Sequence, residues 1–507
     1  MTARSLDTLT SWHADWSGLR VAVLGLGVTG FAAADTLAEL GADVLVVAGR
    51  APDDRARLLE VLGVPLVTAD LDSGTAPAEL VAHRAELIIV SPGFHPDHPL
   101  LEWAAAEATP VWGDIELAWR LRDKVGPAAP WILVTGTNGK TTTVQLTATM
   151  LAAAGHRVAP CGNIGVPVLD AIRDPQGWDV LVVELSSYQL HHLPTSGPGA
   201  LVPVASVCLN IADDHLDWHG SAAAYRDAKA KVYANTVRAC VYNKADLATL
   251  RMVEDADVTE GARAIGFGLG VPGPSELGIV DGILCDRAFL EDRRDSAIEL
   301  STIDDLAAAG LAAPHVVANI LAAAALARAF DVSPDAIRTA LAGFRLDAHR
   351  IEVVAVHEGI SWIDDSKATN PHAADASLAA FDSVVWLVGG LLKGVDISDL
   401  VASHVDRLRG AVVIGVDRED VLAAFRRHAP ALPVFEIDSD DTGEVMPSAV
   451  ERAASLAQAG DVVLLAPAAA SMDQFASYAE RGARFAQAVH EYLGGGSRDD
   501  SSSYPGA

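Results

Sequence analysis

The sequence predicts an α/β protein of three domains, at residues 1–128, 129–345 and 346–493. Two stretches, around Gly25 and around Gly139, each combine a strand pattern, a glycine-rich turn and a helical pattern. The last segment again alternates apolar strands with helices. A chain of 507 residues is too long for one hydrophobic core, and ordinary domain sizes give about three domains. We therefore expect a Rossmann-like first domain, a central parallel-sheet domain of the phosphate-loop type, and a Rossmann-like α/β third domain.

The first domain opens with a strand, a turn and a helix between residues 19 and 40, and a second strand at 43–47. The turn matches the pattern G-x-G-x-x-G. A dinucleotide site usually has an acidic residue after the second strand, but Ala48, Gly49 and Arg50 follow it here, so NAD binding has little support. The helix N-terminus can still receive another nucleotide diphosphate. Residues 123–130, with Pro and Gly, have the composition of a linker.

The central domain opens with a second glycine-rich turn, which has the character of a nucleoside-triphosphate loop. An apolar strand from Trp131 leads into Gly136, Thr137, Asn138 and Gly139, and a helix follows from Lys140, Thr141 and Thr142. Such a turn directs backbone N–H groups at a phosphate, Lys140 neutralises its oxygens, and Thr141 offers a hydroxyl to Mg²⁺. The strict Walker pattern is not met, because Val134 replaces its first glycine. The alternative is a chance Gly-Lys-Thr in a surface turn.

Two further strands of the central domain end in acidic or imidazole side chains. The strand at 178–185 ends near Glu184, and the strand at 205–209 runs on to Asp214 and His215. In parallel α/β sheets the carboxyl ends of the strands form the ligand crevice, so these groups are expected beside the phosphate loop. A carboxylate there suits Mg²⁺, which prefers oxygen ligands. The alternative is that these are ordinary solvated acids at strand ends.

The third domain has strand patterns at 360–363, 384–388, 411–414 and 462–465. Loops rich in small or charged residues follow three of them, at 364–370, 389–394 and 466–475. The tail at 494–507 is rich in Gly, Ser and Asp, has no apolar surface to bury, and is expected to be disordered.

Charge and composition exclude several classes of function. The formal net charge of −30 argues against a nucleic-acid partner, because phosphate binding over a broad surface needs a basic face. No apolar stretch reaches the roughly 20 residues of a membrane span, and no signal peptide opens the chain. The four cysteines are too widely spaced for a C-x-x-C motif and suggest free thiols. We expect a cytoplasmic monomer that does not interact with membranes.

Taken in order along residues 20 to 485, these motifs resemble those of one family, the Mur ligases of peptidoglycan precursor synthesis. The stretch Thr-Gly-Thr-Asn-Gly-Lys-Thr-Thr at 135–142 is similar to the family's phosphate loop. Four other segments resemble the branch that adds D-glutamate: Gly113-Asp-Ile-Glu-Leu117, Glu184-Leu-Ser-Ser-Tyr-Gln-Leu190, Asp365-Ser-Lys-Ala-Thr-Asn370 and Ser471-Met-Asp-Gln-Phe475.

The resemblance implies an ATP-dependent ligase that uses Mg²⁺ and three domains. ATP would phosphorylate the terminal carboxylate of UDP-N-acetylmuramoyl-L-alanine, and the amine of D-glutamate would then attack the acyl phosphate. Phosphate leaves readily whereas oxide does not, so two steps replace one difficult step. Both steps gather negative charge, which Lys140 and Mg²⁺ would stabilise.

The resemblance also implies roles for single residues. The implied catalytic residues are Lys140, Glu184, His215 and Lys229. Lys229 resembles a carbamylated lysine of the family. The implied Mg²⁺ contacts are Thr141, Glu184, His215 and Lys229. Beyond the phosphate loop, the implied ATP contacts are Asn319, His349, Arg350 and Asp365. The implied contacts to the UDP substrate are Thr29, Arg50, Ser91, Gly93 and Asn163. The implied contacts to glutamate are Thr369, Lys393 and Ser471.

Three other functions remain open from the sequence. The nearest is a sister amide ligase, of another Mur branch or of the folylpolyglutamate type. A non-catalytic nucleotide-binding regulator is disfavoured because it needs no lysine for a second substrate. An oxidoreductase built on the first glycine-rich turn is disfavoured because the acidic residue for the ribose is missing.

Overall fold

The structure is a computed structural model that describes residues 5–439 and 441–495. It divides into two compact units, the first formed by Met1–Ala312 with Val316–Phe344, and the second by Ala313–His315 with Arg345–Ala507. The tail predicted to be disordered lies outside the described residues from position 496 onward. Among the described helices, none combines the length and the apolar character needed to cross a membrane.

The first unit contains a five-stranded parallel sheet in the order β3-β2-β1-β4-β5. Its strands are β1 (Arg20–Leu24), β2 (Asp43–Ala48), β3 (Leu66–Thr68), β4 (Leu87–Val90) and β5 (Val111–Gly113). Its helices are α1 (Val28–Glu39), α2 (Asp53–Leu62), α3 (Ala78–His83), α4 (Pro99–Ala106) and α5 (Asp114–Arg120). The order reverses direction between β1 and β4, and in open α/β sheets such a switch point holds the ligand.

A nine-stranded sheet forms the rest of the first unit, in the order β14-β13-β12-β11-β10-β9-β6-β8-β7. Its strands are β6 (Trp131–Thr135), β7 (Val158–Gly162), β8 (Val180–Glu184), β9 (Ala205–Cys208), β10 (Ala239–Asn243), β11 (Arg263–Phe267), β12 (Glu276–Val280), β13 (Ile283–Asp286) and β14 (Ile298–Thr302). Its helices are α6 (Lys140–Ala153), α7 (Val168–Ala171), α8 (Ser187–His191), α9 (Leu216–His219), α10 (Ala222–Ala230), α11 (Leu247–Glu254), α12 (Ile303–Ala308), α13 (Pro314–Ala329) and α14 (Pro334–Gly343).

The predicted parallel sheet is confirmed for the part of this sheet that carries the candidate site. Strands β6 to β11 pair in parallel, and the strands on both sides of β6 are fully buried, as expected of a sheet covered on two faces. Strands β13 and β14 were not predicted and run antiparallel at one edge. The central sheet is therefore mixed.

The second unit contains a six-stranded sheet in the order β15-β16-β20-β17-β18-β19. Its strands are β15 (Glu352–His357), β16 (Ile360–Asp364), β17 (Val384–Gly389), β18 (Leu408–Ile414), β19 (Val434–Glu436) and β20 (Val462–Leu465). Its helices are α15 (Pro371–Leu378), α16 (Ser398–His404), α17 (Glu419–His428), α18 (Thr442–Leu456) and α19 (Tyr478–Gly495). The four predicted strands are present, and the two edge strands were missed. Apolar clusters cover both faces of the sheet, and β15 is antiparallel to β16.

Candidate active site

The phosphate loop joins β6 to α6 and can be built only with glycine at two positions. Gly136 has φ +149° and Gly139 has φ +82°, conformations that side chains with a Cβ avoid. A Cβ at Gly136 would lie 2.9 Å from the Cβ of Leu209, and one at Gly139 would collide with the amide of Asn319. The predicted ATP residue Asn319, from α13, thus lies directly against the loop. The loop leads into a helix of 14 residues, whose N-terminus favours an anion.

Two ammonium groups meet at one carbonyl oxygen of this loop. Lys140 donates from Nζ to the oxygens of Gly136 at 2.9 Å and Thr137 at 2.8 Å. Lys229 donates from Nζ to the same Gly136 oxygen at 2.9 Å and to Thr135 Oγ1 at 3.3 Å. Lys140, together with the protonated fraction of Lys229, places positive charge at this end of β6. Such a site can stabilise the charge of a transferring phosphoryl group.

Lys229 is 2% exposed and lies at the end of α10. Burial, and then the charge of Lys140, lowers the pKa of its amine to about 7. Desolvation penalises the charged form of a lysine, so a sizeable neutral fraction exists near neutral pH. As an ammonium group Lys229 has no lone pair for a metal ion. Mg²⁺ prefers oxygen ligands, which this side chain would supply if its neutral amine were converted into a carbamate.

Oxygen atoms suited to Mg²⁺ lie at the start of α6 and the end of β8. Thr141 donates from Oγ1 to Glu184 Oε2 at 3.0 Å, and Asn163 donates from Nδ2 to Glu184 Oε1 at 3.1 Å. Glu184 is buried, so its carboxylate oxygens are oriented by fixed partners. A hydroxyl and a carboxylate beside a phosphate loop fit Mg²⁺, which takes oxygen ligands and keeps several waters. The predicted UDP-substrate contact Asn163 shares this carboxylate.

His215 lies in the loop after β9 with an unusual backbone. Its φ of +53° is in the left-handed region, which costs a residue with a side chain about 1 to 2 kcal/mol. The backbone N–H of His215 donates to Asp214 Oδ1 at 3.0 Å. Its ring Nδ1 lies 2.6 Å from the hydroxyl of Tyr188. Strained residues of this kind concentrate at functional sites, where surrounding contacts hold them in place.

Three residues that were not predicted as site residues contact the phosphate loop or His215. Tyr225 shares a hydrogen bond of 2.9 Å with Thr137 Oγ1. Asn210 accepts from the N–H of Asn138 at 2.8 Å and donates to its carbonyl oxygen at 3.1 Å. Tyr188, on α8, contacts His215. The only sequence signal for Asn210 was its place directly after β9, beside the loop in a parallel sheet.

In the first sheet, the predicted UDP-substrate residues lie at the carboxyl ends of the strands. Ser91 follows β4, and its Oγ is buried without a hydrogen-bond partner among the described residues. Thr29 is in the first turn of α1, while Gly93 and Arg50 are exposed in the loops after β4 and β2. An unsatisfied hydroxyl beside a helix N-terminus is suited to an anionic ligand. Arg55, not predicted, donates to Leu26 O at 3.2 Å beside this turn.

In the second unit, the predicted nucleotide residues His349 and Asp365 lie at neighbouring turns. Ring Nδ1 of His349 lies 2.6 Å from Asp364 Oδ2. Asp365 accepts a hydrogen bond from the hydroxyl of Ser377, and burial raises the pKa of this carboxyl group to about 6. The charge of Arg350 opposes that rise. These side chains form a polar cluster at the carboxyl end of β16.

The predicted glutamate residues lie on three loops that are tied together. Backbone hydrogen bonds join Leu391 to Ala470 at 2.9 and 3.1 Å, and Ala468 to Ala368 at 3.0 Å. These contacts connect the loops of Thr369, Lys393 and Ser471. Lys393 is exposed with φ +54°, whereas Ser471 is buried. The loops follow β16, β17 and β20, adjacent strands of one sheet, so their side chains share one edge.

A phosphate loop with its lysine, oxygens that fit Mg²⁺, and a further lysine that is buried define the class of protein, a nucleoside-triphosphate-dependent enzyme. Three family models match successive parts of the chain: the Mur ligase MurD-like N-terminal domain at 19–113, the Mur ligase middle domain at 134–327, and the Mur ligase glutamate ligase domain at 349–469. The chain belongs to the Mur ligase family, and it is therefore an ATP-dependent amide-forming ligase. The predicted family, three-domain architecture and enzyme class are confirmed.

Full-length relatives agree with this assignment. The chain is 68% identical to the UDP-N-acetylmuramoylalanine–D-glutamate ligase of Leifsonia xyli subsp. xyli, over 99% of this chain and 98% of the relative. It is 54% identical to the ligase of the same description from Streptomyces avermitilis, over 94% of this chain and 98% of the relative. Among solved structures, the UDP-N-acetylmuramate-alanine ligase of Thermotoga maritima matches with a TM-score of 0.54 and 18% identity, over 94% of this chain and 99% of that chain. At that identity the last match supports the fold alone.

Proposed function

We propose that this chain joins D-glutamate to the alanyl carboxylate of UDP-N-acetylmuramoyl-L-alanine, with ATP as the phosphoryl donor and Mg²⁺ as the metal. The reaction runs through an acyl phosphate, which the amine of D-glutamate attacks to form the amide while phosphate leaves. The relatives described above support the choice of acceptor, because they match over nearly the whole chain and carry this activity in their names. Residues 1–128 serve the UDP substrate, 129–345 serve ATP, and 346–493 serve the amino acid.

The observation that carries the proposal is the shared carbonyl of Gly136. A protein that only senses nucleotide needs no second lysine buried at its phosphate loop, yet the buried Lys229 places its Nζ on the same oxygen as Lys140. We assign Lys140 to the transferring phosphate of ATP. We assign Lys229, as a carbamate, to a Mg²⁺ site shared with His215, beside a first site at Thr141 and Glu184. The metal would neutralise charge on the phosphates and on the carboxylate that becomes phosphorylated.

The remaining residues bind and orient the three substrates. Thr29, Ser91 and Asn163 hold the UDP substrate, with Arg50 and Gly93 beside it. Asn319, His349, Arg350 and Asp365 hold ATP together with the phosphate loop. Thr369, Lys393 and Ser471 hold the distal carboxylate of glutamate. We place the reaction in the cytoplasm and expect a monomer, which light scattering of the purified protein tests.

Release of ADP against a panel of acceptors tests the proposed function. With UDP-N-acetylmuramoyl-L-alanine, D-glutamate should support ADP release, whereas L-glutamate, D-aspartate, L-lysine and a folate acceptor should not. Lys140→Ala should lower turnover by about 10²- to 10³-fold while the UDP substrate still binds. Lys244→Ala is the matched control, because that lysine pairs with Glu276 away from the loop. Activity with a folate acceptor in place of the UDP substrate would favour the folylpolyglutamate type instead.

A further inference from the structure

The five-residue helix α8 is held more firmly than its length alone would allow. Ser186 and Gln189 form a capping box, in which each side chain accepts from the backbone N–H of the other residue. Gln189 Nε2 also donates to Asp114 Oδ2 at 3.0 Å, and both side chains are buried. Asp114 is the first residue of α5, from the five-stranded sheet. The motifs at 113–117 and 184–190 therefore meet in one polar contact that fixes α8.

Tyr188 is the residue of α8 whose ring points toward the loop after β9. Its ring centroid lies 4.5 Å from that of Trp218 and 4.8 Å from that of His215. Its hydroxyl oxygen is 2.6 Å from His215 Nδ1, which is a hydrogen-bond distance. Burial, and then the charges of Asp217 and Asp214, raises the pKa of this phenol to about 12. The neutral hydroxyl group can accept a hydrogen bond from the Nδ1–H of His215.

The hydrogen bond to Tyr188 engages one of the two ring nitrogens of His215, Nδ1. Because Nδ1 is engaged by Tyr188, the ring presents Nε2, which lies 3.5 Å from Asp214 Oδ2. For Nε2 to offer a lone pair to a metal ion, Nδ1 carries the proton and donates it to the hydroxyl oxygen of Tyr188, so this contact is tied to one tautomer and one ring orientation. His215 also has a left-handed backbone conformation. A strained loop residue of this kind keeps one ring orientation only if neighbouring contacts hold it.

We propose that Tyr188 is a positioning residue for the ligase reaction, acting through His215. Its hydroxyl group holds the imidazole by Nδ1, and the anchored helix α8 supplies the rigid base for that contact. Nε2 of His215 is thereby directed to the metal and to the carboxylate that becomes phosphorylated. This inference rests on the proposed function only for the identity of those two targets. The orientation of the ring is independent of them.

The variant Tyr188→Phe tests this role with little change in packing, since the ring contacts to Trp218 are kept. We expect kcat to fall by roughly 2- to 12-fold, the worth of one hydrogen bond. The KM for D-glutamate should stay within about 2-fold of native, because a positioning defect at the reacting carboxylate does not alter acceptor binding. The Mg²⁺ concentration for half-maximal rate should rise. Tyr242→Phe, which deletes a hydroxyl in β10, is the control and should leave all three values unchanged.

A second measurement does not depend on activity. In ¹⁵N-labelled native protein without ligands, above the pH range where histidine protonates, the ring of His215 should give two well-separated nitrogen signals, as one fixed tautomer requires. The signals are assigned by their loss in His215→Gln. In Tyr188→Phe they should move toward each other as the tautomers mix, and in Tyr242→Phe they should not move. Native ring signals in Tyr188→Phe, or unchanged kcat and Mg²⁺ dependence, would overturn the proposal.

The two proposals fail in distinguishable ways. If native protein ligates a different amino acid, the proposed acceptor is wrong, yet the ring signals and the kcat of Tyr188→Phe with the true acceptor still test the positioning role. If native protein is active with D-glutamate and Tyr188→Phe equals it in every measurement, the function stands and the role of Tyr188 is refuted.

Discussion

Lys229 lies where a lysine side chain can react as an amine near neutral pH. Its pKa is lowered to about 7, first by burial and then by Lys140. Only the neutral amine adds to CO₂, so the fraction of carbamate should rise with pH as the amine deprotonates through about 7, and fall below it. The carbamate signal of protein equilibrated with ¹³C-bicarbonate measures this fraction.

Substitutions can distinguish Lys229 from the other lysines of the chain. Lys229→Ala should lose the carbamate signal and nearly all activity, and acetate should restore part of the activity by replacing the missing anion. Lys231→Ala is the matched control, because that lysine is nearby in sequence and half-buried but donates to His191 O and Leu193 O. It should keep the carbamate signal. A plain lysine in active, Mg²⁺-loaded enzyme would contradict the carbamate assignment.

Substitution of Lys393 tests the proposed binding site for glutamate. A charge-assisted hydrogen bond to the distal carboxylate of glutamate is worth about 1.5 to 3 kcal/mol. Lys393→Ala should therefore raise the KM for D-glutamate by roughly 10- to 100-fold and leave the KM for ATP nearly unchanged. Lys393→Arg keeps the positive charge, so its KM for D-glutamate should lie between the native value and that of Lys393→Ala. Equal effects on both KM values would move Lys393 to the nucleotide site.

The predictability of site residues depended on how local their contacts are. The phosphate loop occupies seven consecutive residues whose conformation follows from glycine and helix-start signals, so the sequence located it. The contact of Lys229 with Gly136 spans 93 positions, and only the fold brings the two together. Tyr188 was not predicted as a site residue because a tyrosine between Ser187 and Gln189 carries no local signal for a partner 27 positions away.

At the scale of elements, helix α19 has a structural role that its sequence did not reveal. Arg481, the fourth residue of this helix, is 1% exposed. It donates from Nη2 to Ser366 O at 2.9 Å and from Nη1 to Ala469 O at 3.1 Å. Burial lowers the pKa of this guanidinium group to about 10, so it is still charged at neutral pH. One side chain thus ties together the loops that carry Thr369 and Ser471.

Replacing Arg481 should therefore reduce stability as well as acceptor binding. Arg481→Met leaves two buried carbonyl oxygens without their donor, and we expect the free energy of unfolding to fall by about 2 to 4 kcal/mol. The same substitution at Arg484, which pairs with Glu480 on the exposed face of α19, should cost less than about 1 kcal/mol. Urea unfolding measures both values. Equal losses in the two variants would contradict the role of Arg481.

Element boundaries followed the burial pattern, and the missed elements lie where that pattern is weak. The buried strands β6, β8 and β17 are uninterrupted apolar runs, which the sequence shows directly. Strand β15 was missed because, as an edge strand, it leaves Val353 58% and Val356 66% exposed, so its valines show no alternation. Strand β19 has only three residues, too few for any period.

At the scale of the whole molecule, the net charge of −30 sets a condition for catalysis. ATP, the UDP substrate and glutamate are all anions, so the average field of the protein repels every substrate. Under the proposed function, local cations such as Lys140 and Lys393 supply the attraction. Long-range repulsion acts between exposed charges through water, whereas a buried lysine contact with phosphate is short-ranged. Salt therefore screens the first far more than the second.

We predict that kcat/KM rises with ionic strength instead of falling. The screening length shrinks from about 30 Å at 0.01 M salt to about 8 Å at 0.15 M, so the repulsion should largely vanish over this range. At fixed free Mg²⁺, kcat/KM for ATP and for the UDP substrate should increase several-fold. The value for D-glutamate, which carries less charge, should increase less and so serves as the internal control. The thermal midpoint should rise as well, because the folded chain repels itself. If kcat/KM for ATP fell as salt was added, the local cations would dominate the field at long range, and the net charge would not control the approach of substrates.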